Sequence, residues 1–298
     1  VISLIVIHHA TPDPLAQTLA AFSLSKPGDP ASELIVVDNA SLGPLVASLQ
    51  ELFPKARFIL NRENVGFGRA ANTAARRARG DTLLFLNGDC FLRPGQLSEI
   101  DRIARSLDGA GAVGFRQITP EGRPQLTFGR FPTLRSELDR RRWQRALDVE
   151  HAEWAVQRID ALGENPFEVD WVSGSCLWTA KDVFEKTGGF DERFFMYFED
   201  IDLCRRIQQV GLKIYHAPQP RVLHAHGASA EQNPRVARVA YRESQLEFAR
   251  KHKGALAALA ARGYLLGRSA LSWLAALAQG NAADRQIAGA VFSRMLRP

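Results

Sequence analysis

The sequence predicts an α/β protein built on a mostly parallel sheet flanked by helices, with a helical appendage at its C-terminal end. Three observations predict it. Short apolar, β-branched runs alternate with amphipathic stretches through the first 117 residues, the pattern of a parallel sheet covered by helices. Four of the five runs are almost purely apolar, as strands buried on both faces must be. Beyond Ser229 only helical patterns occur.

The five runs are residues 2–8, 33–38, 57–60, 82–87 and 112–116, and the helical stretches between them are 15–24, 44–53, 67–79 and 95–107. From 118 to 168 the pattern weakens and arginines accumulate, with a helix expected over 138–162. A second group of signals follows: a strand over 169–179, a helix over 200–210, and strands over 213–216 and 221–224.

Composition narrows the function. With 298 residues and 46% hydrophobic content the chain can bury a full core. Its three cysteines, Cys90, Cys176 and Cys204, form no CxxC pair, so thiols kept reduced are expected rather than disulfides or a thiolate zinc site. Residues 1–7 show no basic leader or cleavage site and read as a core strand, not a signal peptide. These points favour a cytoplasmic protein. The net charge of +6 implies an acidic partner. Nucleic acid is not the expected one, because zinc-finger spacings and RNP-like motifs are absent. A nicotinamide enzyme is disfavoured by the missing GxGxxG fingerprint after the first strand.

In open α/β sheets ligands bind at the carboxyl ends of the strands, and polar residues at those ends carry the functional signal. Asp38 ends the second strand and could accept hydrogen bonds from a base or ribose; a turn aspartate is the other reading. The run Asn64-Val65-Gly66-Phe67-Gly68 lies at a strand-to-helix junction, where glycines allow close backbone approach and a helix start attracts phosphate. Asn87 and Asp89, two apart after the fourth strand, could hold ribose and a divalent cation bridging two phosphates, or simply form an Asn-Gly-Asp turn.

Further on, Gly188 to Leu203 runs from an aromatic turn into Glu199-Asp200-Ile201-Asp202. A carboxylate at a helix start is favoured in its ionised form and can act as a general base; an acidic N-cap cluster is the alternative. Finally, His224 and His226 follow a strand. His224 could ligate metal or meet a phosphate, or be a hydrogen-bonded strand-end histidine.

Taken in order, these segments resemble glycosyltransferase family 2, whose catalytic domain has the GT-A (Rossmann-like nucleotide-diphospho-sugar transferase) fold, over roughly residues 1–253. The resemblance implies an inverting, metal-dependent glycosyltransferase using a nucleoside diphosphate sugar donor and Mg²⁺ or Mn²⁺. It assigns Asp200 as catalytic base and Asp38, Asn64, Gly66, Asn87 and Asp89 to the nucleotide-sugar. Asp89 and His224 would hold the metal, and Trp171, Gly174, Asp191 and Glu199 would surround the acceptor or sugar pocket. It also implies a catalytic domain over 1–230, with a nucleotide-sugar half near 1–117 and an acceptor half near 168–230, and a helical region over 231–298. The branch resembles bacterial rhamnosyltransferases, implying a dTDP-rhamnose donor and a saccharide or lipid-linked saccharide acceptor in cell-surface polysaccharide or glycolipid synthesis. A non-catalytic nucleotide-sugar- or carbohydrate-binding relative is the competing reading.

The chain departs from the family pattern twice. Gly88 stands where Asn-Pro-Asp has proline, and Ile7-His8-His9 replaces a Thr-Tyr-Asn-like end to the first strand. The Ala- and Leu-rich stretch 254–278, with Arg262, Arg268, Tyr264 and Trp273 interspersed, suits a helix lying on a membrane surface, which would make the protein peripheral on the inner face of the membrane. A helix packed on the catalytic domain, or on a second subunit in a homodimer, fits the same pattern.

Overall fold

The computed structural model describes residues 1–9, 12–23, 32–41, 44–147, 156–157, 159, 161–225 and 233–297. His226 to Ser229, the junction near 230, and most of the second half of the helix expected over 138–162 lie outside them.

The leading strands form where their apolar runs are. Strands β1 (Ile2–His8), β2 (Ser32–Asn39), β3 (Arg57–Asn61) and β4 (Thr82–Asn87) are followed by β5 (Cys90–Phe91), β6 (Ala110–Ile118) and β7 (Phe128–Gly129). Then come β8 (Phe167–Glu168), β9 (Trp171–Val172), β10 (Cys176–Ala180) and β11 (Lys213–His224). The main sheet runs β3-β2-β1-β4-β10-β6-β11-β5, with β8 added on β11. Six strands point one way, and β5, β8 and β10 oppose them. Successive side chains of β1 enter opposite layers: Ile5 and Ile7 join Ile35, Phe85, Ala70 and Phe190, while Leu4 and Val6 join Leu15, Leu84, Leu97 and Ile100. A strand with both faces buried has no polar side to show.

Helices α1 (Pro12–Ser23), α2 (Pro44–Leu52), α3 (Phe67–Ala75), α4 (Gln96–Arg105), α5 (Leu134–Leu147), α6 (Lys181–Lys186) and α7 (Glu199–Gln209) lie between the strands. The sheet departs from expectation in two places. The single strand expected over 169–179 is broken. β9 pairs with β7 in a separate two-stranded sheet, and only β10 enters the main sheet, antiparallel between β4 and β6. The turn residues Ser173-Gly174-Ser175 divide the apolar run. Conversely, the two strands expected over 213–216 and 221–224 are one, β11, which carries a register shift between Ala217 and Val222. Pro218 and Pro220 sit inside that shift, where the ladder does not need their missing N–H groups.

The tail forms three helices, α8 (Pro234–Lys253), α9 (Ala255–Ala278) and α10 (Ala282–Leu296). Phe248 of α8 is part of the sheet core that also holds Phe190 and Phe198, and Ser244 Oγ donates to the Met196 carbonyl at 2.9 Å. A small cluster of Leu246, Ala258, Leu265, Val291 and Met295 holds the three helices together. Among the described residues no helix is long and apolar enough to cross a membrane.

The strongest tie between α8 and the rest is ionic. Asp202 on α7 is fully buried and meets Arg206 at 2.8 Å, Lys251 Nζ at 2.6 Å and His252 Nε2 at 2.7 Å. Removing one member of a buried ion cluster leaves its partners desolvated and uncompensated. Asp202→Asn is therefore expected to lower unfolding stability by about 3 kcal/mol or more. The loss is read as a fall in denaturation midpoint, and a variant as stable as the parent would remove the clamp.

Candidate active site

The parallel register brings the ends of β1, β2 and β4 side by side, with His8 opposite Asp38 and Ile7 opposite Asn87. Asp38 is buried, accepts from the Ser41 amide at 3.2 Å, and lies 3.9 Å from His8 Nε2. Burial lowers the His8 pKa to about 4, against the opposing pull of the Asp38 charge, so His8 is neutral at pH 7. The two departures from the family pattern meet here. Gly88 donates its N–H to the Ile7 carbonyl at 2.9 Å, and a Cβ at position 88 would lie 3.2–3.4 Å from His8. A proline there would lose that bond and crowd the imidazole. His8 and Gly88 thus form one local arrangement.

Asn64 shapes a loop. Its Oδ1 accepts from Asn39 Nδ2 at 2.9 Å and from the Gly66 amide at 3.0 Å, while Asn39 Oδ1 accepts from Asn61 Nδ2 and the Val65 amide. Gly66, at φ 85°, makes its close approach to protein: a Cβ would lie 2.2 Å from the Phe195 carbonyl oxygen. That carbonyl also accepts the Phe67 amide at 3.1 Å. The Gly66 and Phe67 amides at the start of α3 are therefore engaged within the chain, where the sequence suggested phosphate.

Asp89 is buried beside His224, with Oδ1 to Nε2 at 3.3 Å. Gln125 fixes the histidine: its Oε1 is 2.8 Å from His224 Nδ1, and its Nε2 donates to the His224 carbonyl at 3.0 Å. An N–H on Nδ1 leaves the Nε2 lone pair directed to the Asp89 side. Asp89, Cys90 and His224 each bring one ligand atom within 4.8 Å of the others. Burial pushes the Cys90 thiol well above its ordinary pKa, so sulfur stays protonated. One carboxylate and one imidazole remain as donors. That set fits a cation whose other ligands are phosphate oxygens and water.

The second carboxylate group is built by a strained turn. Tyr197 and Phe198 both adopt left-handed backbone, φ 67° and 66°, a costly conformation for aromatic residues. Phe198 is held there by Tyr241 and Phe248, with ring centroids at 5.2 and 5.7 Å. The turn starts α7 abruptly at Glu199-Asp200. Asp200 Oδ2 accepts the Gly174 amide at 2.9 Å, and Oδ1 accepts the Ile201 amide at 2.7 Å. Burial raises the Asp200 pKa, and these two amides oppose the rise. Glu199 is raised well above the ordinary range by burial and by the Asp200 charge. Glu199 thus holds a proton more readily than an ordinary glutamate.

One segment joins the two carboxylate groups. The Ser175 carbonyl accepts the Asn87 amide at 3.0 Å, and its neighbour Gly174 donates to Asp200. Ser175 Oγ lies 2.8 and 3.0 Å from the amide nitrogen and oxygen of Gln117, and the Ser173 amide donates to Thr127 at 2.7 Å. Gln117, Ser175 and Gln125 went unread in the sequence. A polar residue closing an apolar strand marks Gln117, but Gln125 lies where no periodicity flags it.

Two residues expected near the acceptor have other partners. Trp171 is core: it packs against Gly129, and its indole N–H donates to the Arg130 carbonyl at 2.9 Å. Asp191 pairs with Arg193 at 2.6 Å and Lys251 at 2.7 Å. Burial would raise its pKa, but hydrogen bonds from those two cations hold it well below the usual carboxylate range. Asp191 also lines a groove of about 610 Å³ with Asn72, Phe184, Arg206 and Lys251, a groove that includes none of Asp38, Asp89, Asp200 or His224.

Comparison with known proteins bears on the family and the fold. Residues 3–165 match the family described as Glycosyl transferase family 2. The N-acetylglucosaminyl-diphospho-decaprenol L-rhamnosyltransferase of Mycobacterium tuberculosis is 29% identical, over 91% of this chain and 94% of its own length. The O-antigen biosynthesis protein RfbC of Myxococcus xanthus is 30% identical over 76% of this chain but only 17% of its own. Among solved structures, GalNAc-T7 with UDP, GalNAc and Mn²⁺ superposes with a TM-score of 0.56 at 16% identity, covering 82% of this chain and 47% of that one. The mannosyltransferase PcManGT of Pyrobaculum calidifontis, in complex with GDP-Man and Mn²⁺, gives 0.55 at 15% identity, covering 98% and 85%. The architecture is the GT-A fold, and with more than half of its length matched to the family the chain belongs to glycosyltransferase family 2.

Proposed function

We propose that the protein is an inverting rhamnosyltransferase that moves the sugar of dTDP-rhamnose to a hydroxyl of a lipid-linked saccharide on the cytoplasmic side of the membrane, in cell-surface polysaccharide or glycolipid synthesis. The observation that carries the reading is the Asp200 carboxylate, oriented by two backbone amides and tied through the 173–175 turn to Asn87. The donor and acceptor classes rest on the mycobacterial relative, whose name gives both rhamnosyl transfer and a diphospho-decaprenol acceptor.

Asp38 binds the base or ribose, with Asn64 and Gly66 shaping the loop beside it. Asn87 meets the ribose. Asp89 and His224 hold Mg²⁺ or Mn²⁺, which when bound supplies positive charge to the leaving diphosphate. Asp200 takes the proton of the acceptor hydroxyl as its oxygen bonds to the anomeric carbon. The bond from that carbon to the diphosphate oxygen breaks on the opposite face, and one such in-line displacement inverts the centre. Gly174 positions Asp200, and burial of Glu199 favours its protonated form, which limits negative charge beside Asp200.

Three outcomes test this. Asp200→Asn keeps the shape but not the basicity, so kcat should fall on the order of 10²–10⁴-fold with donor affinity within a few-fold of the parent. Turnover near the parental value would remove Asp200 from the role. The reaction needs Asp200 ionised, and burial raises its pKa. The kcat profile should therefore fall as pH drops, with its acid midpoint above the ordinary aspartate value of about 3.9. A midpoint at or below that value counts against the assignment. Asp89→Ala should abolish the Mn²⁺-dependent part of nucleoside diphosphate binding in calorimetry, and a variant that keeps that dependence would sink the cation site.

A further inference from the structure

The charge and the uncovered apolar surface of this protein sit in the same place. Residues 233–297 hold eleven Lys and Arg against three Asp and Glu, a net +8 that exceeds the +6 of the whole chain. The rest of the protein is slightly acidic. Within this basic tail, α9 has no acidic residue at all, and its two charges are Arg262 and Arg268.

Helix α9 is apolar on two opposite sides. Ala258, Leu265, Ser269 and Ala276 are buried against α8 and α10. The opposite side carries Leu256, Leu259, Leu271, Leu274 and Leu277, which are 84, 67, 69, 55 and 45% exposed. Together with Gly263 and Gly267 these positions follow each other in steps of three and four, so they share one side of the helix. Nothing lies within 4 Å of where a Cβ would stand on either glycine. At 1.5 Å rise per residue the 24-residue helix is about 36 Å long, and five exposed leucines aligned along it form a contiguous patch of the kind that marks an interaction surface. On the helical wheel Arg262 and Arg268 fall on the two flanks between the buried and exposed sides.

We propose that this outward face of α9 is a docking surface for an anionic lipid bilayer, with the helix lying in the interface plane. Leucines enter the headgroup boundary, Arg262 on the flank reaches lipid phosphates, and the surrounding positive charge adds long-range attraction. Charge decides between occupants: a second copy seated on the same face would bring one basic tail against another, whereas an anionic bilayer complements it. Through Lys251, His252 and Asp202 the docked helices are tied to α7, so docking also fixes the helix that bears Asp200. The inference rests on the tail alone.

The test uses the full chain and no sugar substrate, so its failure leaves the catalytic reading standing. Cosedimentation is measured with phosphatidylcholine vesicles lacking or containing phosphatidylglycerol. The parent should bind the anionic vesicles at least tenfold more tightly, with binding weakened by salt. The L271E/L274E variant should lose at least tenfold of that affinity with an unchanged thermal midpoint, since both sites are exposed. L256E/L259E, at the other end of the same face, should do likewise. The proposal is overturned if both variants bind as the parent does. It is also overturned if the parent sediments as a dimer that L271E/L274E dissociates while vesicle binding stays the same.

Discussion

A single backbone amide sets the geometry around which this site is arranged. Gly174 donates its N–H to Asp200, and the adjacent Ser175 carbonyl receives the amide of Asn87. Both bonds need the chain to turn at 173–175 rather than run on as a strand. The turn must also be narrow: a Cβ on Gly174 would lie 3.2 Å from the Phe67 ring and 3.5 Å from Asp200 Cβ. Phe67 is itself held by the Phe195 carbonyl, which only a glycine at 66 can approach. The α3 start, the aromatic turn before α7 and the 173–175 turn are therefore interlocked by contacts that leave little room for side-chain change.

Within this frame four of the five carboxyl groups between Asp191 and Asp202 take different states because their neighbours differ. Asp191 and Asp202 are surrounded by cations and act as anchors. Glu199 is buried beside another carboxylate, and burial favours its protonated form. Asp200 is buried too, but its two oxygens face two amides that stabilise negative charge. Environments that push neighbouring acids apart in this way are what separate a base from its supports. The strain of the left-handed Tyr197 and Phe198 is offset by burying Phe198 against α8, so the tail helps to hold the very turn that presents Asp200.

Much of this was legible in the sequence, for a physical reason. Strands buried on both faces must be apolar throughout, so β1, β2 and β4 announce themselves, and the polar residues that end them stand out as Asp38, Asn87 and Asp89. What was not legible depends on long-range pairing. Val169 to Thr179 reads as one strand because local propensity is high on both sides of Ser173-Gly174-Ser175. Only its two different partners, β7 for the first part and β4 with β6 for the second, break it. Gln125 holds His224 from 99 residues away, and no local pattern can report such a contact. The glycine at 66 shows the same limit. That it allows close approach was readable, but that its neighbour would be Phe195 was not.

The chain's charge distribution links these interior details to its surroundings. A net charge of +6 looks modest when spread over 298 residues, yet it is the difference between a basic three-helix tail and a slightly acidic sheet domain. One of the tail's cations, Lys251, turns inward together with the His252 imidazole to the buried Asp202, where desolvation makes exact pairing matter. Most of the others remain outside, where solvent screens them and only a surface of many opposite charges gains much from their sum. The same helix group thus uses positive charge in two regimes. At short range and out of water, it locks α8 to the helix of the proposed base. At longer range and in water, it leaves a field whose sign is set by residues far from the sheet. The segregation falls beside a helix, α9, whose outer side carries exposed leucines from Leu256 to Leu277.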